Sequence, residues 1–285
     1  MNTIKKYAFK PGFQHEFEII DLNLLFNKLS KEKQIPHRAD FYHIFWFQEG
    51  GTNHNVDFKS IEIKPNSLLF VNKNSVQLFD ITSRIKGKVI LFTDNFYSST
   101  RLDTLFLKST ILFNNFYSIA QIDITNSIIK SIFIELGKEI KNKKDEYQIE
   151  IIRNNLKNLL LHSEREIKKQ EFIQLKQNLN QEYALIFNEL LENNFIKHKN
   201  VSFYVKQMSI SAKKLNLITS KIYGKKPKSI IDDRVLLEVK RQLVYTNYSI
   251  KEIAYSLGFE ELTNFIKYYR KHTGETPKMF REKYC

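Results

Sequence analysis

The C-terminal third of the chain carries one helical device twice, and no other feature restricts the possible folds as much. The clearer copy is SIKEIAYSLGFEELTNFIKYYRKHTGETPKMF, residues 249–280. Ser249 and Glu252 have the S-x-x-E spacing of a capping box, which satisfies the free amides at a helix start. Ile250, Ile253, Ala254 and Leu257 recur at helical spacing on one face. Ala254 is small enough to let a second helix cross closely. Gly258 can take the positive φ that a sharp turn needs. A second helix follows, and Gly274 with Pro277 ends it. Short helix, glycine turn and second helix make a helix-turn-helix, a motif that lays its second helix in a DNA major groove.

The other copy lies upstream. Gly224, Pro227 and Lys228 precede Gly274, Pro277 and Lys278 by 50 residues, as Leu215 and Ile218 precede Phe265 and Tyr268. Before the turn the offset is 49, pairing Val205 with Ala254, Met208 with Leu257 and Ile210 with Phe259. One residue is therefore gained or lost at the turn, where Ser209 stands in place of Gly258. A period repeated only twice is too short for a solenoid and suits two modules that touch two sites.

Charge points the same way. The net charge is +14, and residues 197–285 hold 19 Lys and Arg against 8 Asp and Glu. A single basic third implies a polyanionic partner held by that third. At 285 residues the chain has room for two domains. No run of about eighteen apolar residues marks a membrane span. The opening MNTIKKYAFKPGF lacks the apolar stretch and cleavage site of a signal peptide, so a cytoplasmic location is expected. The only cysteine is Cys285, which excludes an intrachain disulfide.

Residues 13–97 read as β structure. Expected strands are 17–22, 41–48, 56–63, 67–71, 76–81 and 88–92, separated by turn signals at 49–52, 64–66 and 86–87. Many short strands at this spacing indicate a sandwich or barrel. Beyond Tyr97 the pattern turns helical, with an amphipathic segment at 126–143. In 145–170, Ile149, Ile152, Leu156, Leu159 and Ser163 form an apolar stripe suited to another helix. That stripe fits the chain's own barrel or a second copy of the chain, and the two are compatible. Further helices are expected at 183–196, 202–208, 211–223, 231–245, 250–257, 261–272 and 277–283.

The segment 195–283 resembles the DNA-binding domain of the AraC/XylS family of bacterial transcription regulators. The residues that carry this are Ile253-Ala254, Leu257-Gly258-Phe259, Phe265, Tyr269-Arg270-Lys271, Thr273-Gly274 and Thr276-Pro277. The N-terminal half resembles the family's cupin-like sensing domain through Pro36-His37, Asp40-Phe41-Tyr42, Pro65-Asn66 and Leu91-Phe92-Thr93. The resemblance implies an α+β chain of two domains. Residues 1–167 would form a cupin-like β-barrel with flanking dimerisation helices, binding an effector. Residues 168–180 would be a linker, and 181–285 an all-α domain with two helix-turn-helix motifs joined by a linking helix. Implied partners are double-stranded promoter DNA, a small-molecule effector, a second copy of the chain and RNA polymerase, in the bacterial cytoplasm at the nucleoid. Ile149, Ile152, Leu156 and Leu159 would then line the dimer helix.

Helical phase selects the reading face without the family. With Phe265 buried, Tyr268 and Tyr269 lie on its side, while Thr263 and Lys267 face away. Leu262, Asn264 and Ile266 flank them. Lysine can bond guanine, asparagine can pair with adenine, and a threonine methyl can pack on thymine. In the upstream copy Leu215, Ile218 and Ile222 are buried; Lys213 and Leu217 face out, with Lys214, Asn216, Ser220 and Lys221 around them. The expected base contacts are Lys213, Lys214, Asn216, Leu217, Ser220, Leu262, Thr263, Asn264 and Lys267. The expected phosphate contacts are Lys221, Lys225, Lys226, Arg270, Lys271 and Arg281. An outward leucine in a basic helix calls for an apolar partner, either thymine methyls or the sensing domain. A helix at 232–245, about 21 Å long, would set the two reading helices roughly one DNA turn apart, with Asp232 and Asp233 at its positive N-terminus.

An enzyme is the contrasting reading. Barrels of this kind hold a metal through a close His-x-His, but His37, His43 and His54 are spaced by six and eleven. No glycine-rich phosphate loop or nucleophile elbow is present. No catalytic residue, metal or cofactor is expected. His37, Tyr42, Phe45, Phe47, His54 and Phe92 are candidates for lining an effector pocket. A further alternative is a ligand-independent adaptor whose barrel binds a protein; a metalloenzyme fused to a DNA-binding domain is the third.

Overall fold

The computed structural model describes residues 5–9, 16–25, 36–79, 85–113, 120–124, 127–170 and 179–284. The chain divides into two compact units, Lys5–Leu175 and Lys176–Cys285.

Among the described residues the N-terminal unit holds ten strands: β1 (Lys5–Tyr7), β2 (Phe17–Asp21), β3 (His37–Ala39), β4 (Tyr42–Glu49), β5 (Thr52–Val56), β6 (Lys59–Ile63), β7 (Ser67–Val71), β8 (Val76–Phe79), β9 (Lys86–Phe92) and β10 (Gln121–Asp123). They form two five-stranded sheets, ordered β1-β3-β8-β5-β6 and β10-β7-β4-β9-β2. Residues 80–81, expected at the end of a strand, lie outside the described residues.

The single strand expected over 56–63 is instead the hairpin of β5 and β6, closing at the pair Val56 and Lys59. Asp57 and Phe58 both adopt positive φ, 47° and 69°. Two such residues in succession match a two-residue type I′ hairpin turn. Asp-Phe lacks the usual glycine, so the sequence conceals it.

β4 runs through the middle of the second sheet, and alternation sends its side chains to opposite faces. Tyr42, Ile44 and Trp46 pack in one cluster with Leu68, Phe70, Ile90 and Phe92. Phe45 and Phe47 pack in another with Leu69, Val71 and Val89, and with Val56 and Ile63 from the first sheet. One face of the second sheet thus meets the first sheet.

The other face is covered by helices. After α1 (Asp94–Tyr97) and α2 (Arg101–Ser109) come α3 (Ser127–Glu139) and α4 (Gln148–Gln170). Phe133 and Leu136 of α3 join the Tyr42 cluster, as do Ile152, Leu156, Leu159 and Leu160 of α4. Ile152, Leu156 and Leu159, expected to line a dimer helix, thus pack on the chain's own sheet, as the other reading of the stripe has it. Leu156, Leu159 and Ser163 are fully buried within their own unit, and Ile149 packs against the same core. Burying a leucine side chain contributes about 1.5–3 kcal/mol, and here the sheet supplies the burial.

The C-terminal unit is all-helical: α5 (Leu179–Asn194), α6 (Val201–Gln207), α7 (Ala212–Tyr223), α8 (Pro227–Tyr245), α9 (Ile250–Ser256), α10 (Leu262–Thr273) and α11 (Pro277–Tyr284). Of the linker expected at 168–180, residues 171–178 lie outside the described residues, 168–170 end α4, and 179–180 begin α5. Among the described residues no helix is long and apolar enough to cross a membrane.

Candidate nucleic-acid interface

The two copies fold alike to the level of single hydrogen bonds. In the first turn Ser209 N–H donates to Lys206 O and Ile210 N–H to Val205 O. In the second, Gly258 N–H donates to Tyr255 O and Phe259 N–H to Ala254 O. The backbone is left-handed at both centres, with φ of 51° at Ser209 and 72° at Gly258. Glycine adopts this region freely, whereas serine does so at a cost. The offset then slips by one: α7 begins at Ala212 after the cap Ser211, and α10 at Leu262 after the cap Glu261. The second module carries the extra residue, in its turn.

Local chemistry fixes the helix ends. Ser249 and Glu252 complete the capping box, with Ser249 N–H donating to Glu252 Oε2 at 2.6 Å and Glu252 N–H to Ser249 Oγ at 3.1 Å. Ser211 Oγ accepts from Lys214 N–H at 3.1 Å. Gly224 and Gly274 end α7 and α10 in left-handed caps, each amide donating back into its helix, to Ser220 O and Arg270 O. The prolines at 227 and 277 then open α8 and α11.

Gly258 has a second constraint. A Cβ there would sit 2.4 Å from the carbonyl oxygen of Ile196, in the loop before α6. That loop is tied to the same turn by Lys199, whose ammonium donates to Ile196 O at 2.6 Å and Leu257 O at 2.7 Å. It also lies 4.5 Å over the Phe259 ring. Burial, and Lys228 nearby, bring the Lys199 pKa down to about 8.

The buried faces of α7 and α10 are apolar. Leu215 and Ile218 are buried on α7, and Phe265 and Tyr269 on α10. Thr219 is buried as well, which the apolar pattern did not anticipate. Ile222 and Tyr268 are half-buried. Lys213, Lys214, Asn216, Leu217, Ser220 and Lys221 are exposed on α7, and Thr263, Asn264, Lys267, Arg270 and Lys271 on α10. Leu262 and Ile266 are half-buried at the margin. Leu217 is 63% exposed, a large apolar side chain amid polar ones.

Several cations already have contacts. Lys214 Nζ lies 3.9 Å over the Tyr183 ring of α5. Lys225 pairs with Asp233 at 2.7 Å, while Lys226 is the exposed cap of α8. Arg281, one of the expected phosphate contacts, already has main-chain partners. Its guanidinium donates to Leu243 O at 2.9 Å and Tyr248 O at 2.7 Å, fastening α11 to the α8–α9 connection. A cleft of about 270 Å³ opens at the start of α6, with Lys197, Lys199 and Lys206 among its walls.

The structure also corrects the linking helix. It starts at Pro227 rather than Asp232, so its 19 residues span about 28 Å. Asp232 therefore sits beyond the first turn, and it is only 4% exposed. Its carboxylate accepts from Lys228 Nζ at 2.6 Å and from the Tyr268 hydroxyl at 2.7 Å. Burial and that bond push the Tyr268 pKa well above its ordinary value. Phase placed Tyr268 on the inner side of α10, but nothing in the sequence named a partner 36 residues away.

Residues 204–283 match the family model described as a helix-turn-helix domain. The C-terminal unit carries an AraC-type helix-turn-helix domain. An HTH-type transcriptional regulator of Bacillus subtilis (strain 168), YobQ, is 36% identical over 58 residues, which are 20% of this chain and 24% of that protein's length. Among solved structures, the C-terminal domain of the response regulator yesN from Fusobacterium nucleatum shares 22% identity, covering 35% of this chain and 98% of its own, with a TM-score of 0.33. ToxT of Vibrio cholerae, solved with an unsaturated fatty acid, shares 16% identity, covering 93% and 94%, with a TM-score of 0.41.

In the N-terminal unit the six candidates for an effector pocket do not share one space. Tyr42 and Phe92 stack at 5.1 Å on the helix-covered face of the second sheet. Phe45, Phe47 and His54 lie between the sheets. The reason is the two-residue period of β4. His37 is half-buried and meets Tyr7 edge-on. His54 Nε2 bonds Gln77 Oε1 at 3.1 Å, and Gln77 Nε2 reaches His43 Nδ1 at 3.3 Å. Burial depresses both histidines, His54 to about 3, so their imidazoles are neutral. Among the described residues no group of three or more His, Cys, Asp or Glu is placed to hold a metal.

Proposed function

We propose that the chain is a sequence-specific transcription regulator that lays α7 and α10 in two successive major grooves of promoter DNA. The observation that carries this is the repeated turn: two modules with the same bonds, each presenting one exposed polar and basic helix face. On this reading Lys267, Thr263 and Asn264 read bases for the second module, and Lys213, Asn216, Leu217 and Ser220 for the first. Lys221, Lys226, Arg270 and Lys271 hold phosphates. Selection of duplexes from a random pool by the full chain tests the reading. A bipartite site with two half-sites about one helical turn apart is expected. Recovery of no preferred sequence, or of a single half-site, would count against it.

The same proposal gives the N-terminal unit control over DNA binding through a small-molecule effector, with the layer between the sheets that holds Phe45, Phe47 and His54 as its seat. Those side chains offer aromatic surface and neutral imidazole and amide groups, which suits a largely apolar organic ligand with few polar atoms. A metabolite panel read by thermal shift checks this. A specific stabilising compound supports the sensor, and none across a broad panel favours an adaptor that binds a protein instead.

A further inference from the structure

Between the two helix-turn-helix modules lies a polar assembly built on the buried carboxylate of Asp232, which the reading of bases does not use. We infer that Asp232, Tyr268 and Lys228 form a brace that sets the placement of α10 relative to α7, and hence the half-site spacing the chain accepts. This rests on the proposed reading of two grooves by one chain.

The linking helix is fastened on both sides by Asp232 and Arg234, two residues apart, with Lys228 one turn before them. Arg234 points toward the first module. Its guanidinium bonds Glu192 at 2.8 Å and lies 3.9 Å over the Phe195 ring, at the end of α5 and just after it. Asp232 points toward the second module, and its Oδ1 accepts the Tyr268 hydroxyl of α10. His272, one turn further along α10, stands 3.7 Å from Asp232 Oδ2. Lys228 joins the two sides, since its ammonium reaches both Asp232 Oδ1 and the main-chain oxygen of Lys199 at 3.0 Å.

Apolar contacts alone tolerate sliding and rotation, because they are not directional. A carboxylate with charged and hydroxyl donors has a narrow optimum in distance and angle. Removing a donor from a buried carboxylate leaves it poorly paired, which strongly favours one arrangement over its neighbours. Two rigidly joined modules bind DNA more tightly than either alone only when the spacing of the sites matches that of the modules. A brace of this kind therefore converts into spacing selectivity, with no contact to a base.

Tyr268→Phe removes one hydroxyl and leaves the ring against Phe259 and His272. Asp232→Asn keeps an acceptor and removes the charge. The selected bipartite duplex is rebuilt with one or two base pairs inserted or deleted between half-sites, and with either half-site scrambled. Wild type should favour one spacing by about tenfold or more over its neighbours. Both variants should keep wild-type affinity for each single half-site while the spacing preference falls severalfold. Unchanged spacing profiles in both variants overturn the brace. So does an equal loss on single half-sites, which indicates support of the fold alone. Thermal melts separate that loss from simple unfolding. A wild-type chain with no sequence preference overturns the reading beneath the brace and takes the brace with it.

Discussion

The two helix-turn-helix modules have the same backbone and reach it by different means. The second uses Gly258, which suits both the left-handed turn and the close approach of Ile196. The first makes the same turn with Ser209 at φ 51°, where a serine is strained. The second opens with a full capping box; α6 is preceded by Asn200, which makes no side-chain cap bond. The reading faces differ too, since α7 presents the 63%-exposed Leu217 and α10 presents Lys267 at the corresponding place. The comparison teaches that tertiary packing sets the turn geometry, and that the local sequence only decides how easily it is reached. It also predicts unequal responses to equivalent substitutions.

The largest effect should come from Gly258→Ala. The new methyl would enter the left-handed region and strike the Ile196 carbonyl. Strain and overpacking together should destabilise the second module by about 3 kcal/mol. Chemical denaturation followed by a probe near Tyr268 measures this. A loss below about 1 kcal/mol would mean that the loop at 195–199 yields easily, and that the two modules are less firmly joined than the hydrogen bonds indicate.

Next in size is the pair Lys267→Ala and Leu217→Ala. Lys267→Ala should weaken binding to the selected site by about 1–3 kcal/mol and relax preference at one or two base pairs in the half-site read by α10. Leu217→Ala should act on the other half-site, at a thymine position, and by less. Competition assays against every single-base variant resolve the two patterns. Loss that is uniform across sequences would make Lys267 a phosphate contact, and no loss at all for Leu217 would turn attention to a protein partner for that leucine.

Lys271→Ala should cost less, and without regard to sequence. Removing one phosphate contact should flatten the slope of log affinity against log salt by about one unit. Arg281→Ala provides the contrast, because its guanidinium is committed to main-chain carbonyls of 243 and 248. It should lower thermal stability and leave the salt slope near that of wild type. A flattened slope for Arg281→Ala would restore it to the DNA face.

What the sequence made legible follows from the range of each signal. Helix phase depends on near neighbours, so the buried set of Phe265, Tyr269, Leu215 and Ile218 could be read directly. The period of α4 reveals its apolar stripe but not its cover, which on this side is the chain's own sheet. The period of β4 separates Tyr42 from Phe45 and Phe47, but which face bears the helices and which the first sheet has no local signal. Three-residue strands such as β3 and β10 leave no periodic trace. Asp232 has the sequence of a helix-terminal charge, but the helix starts five residues earlier, at Pro227. Its bond to Tyr268 is a long-range fact with no local signature.

The smallest expected effect gives the sharpest test of the comparison. Ser209→Gly should relieve the left-handed strain in the first turn, but glycine also gives the unfolded chain more freedom. The two contributions oppose each other and differ by only a few tenths of a kcal/mol, so a net gain of about 0.5 kcal/mol is expected. The hydroxyl matters little to this balance, because Ser209 is exposed and its turn is held by main-chain bonds. Denaturant midpoints for Ser209→Gly and Ser209→Ala separate the causes. Alanine keeps the strain and loses only the hydroxyl, so it should match wild type, while glycine exceeds both. If alanine and glycine shift stability alike, the serine hydroxyl rather than the backbone sets the difference between the modules, and the first turn is not strained in the way its φ implies.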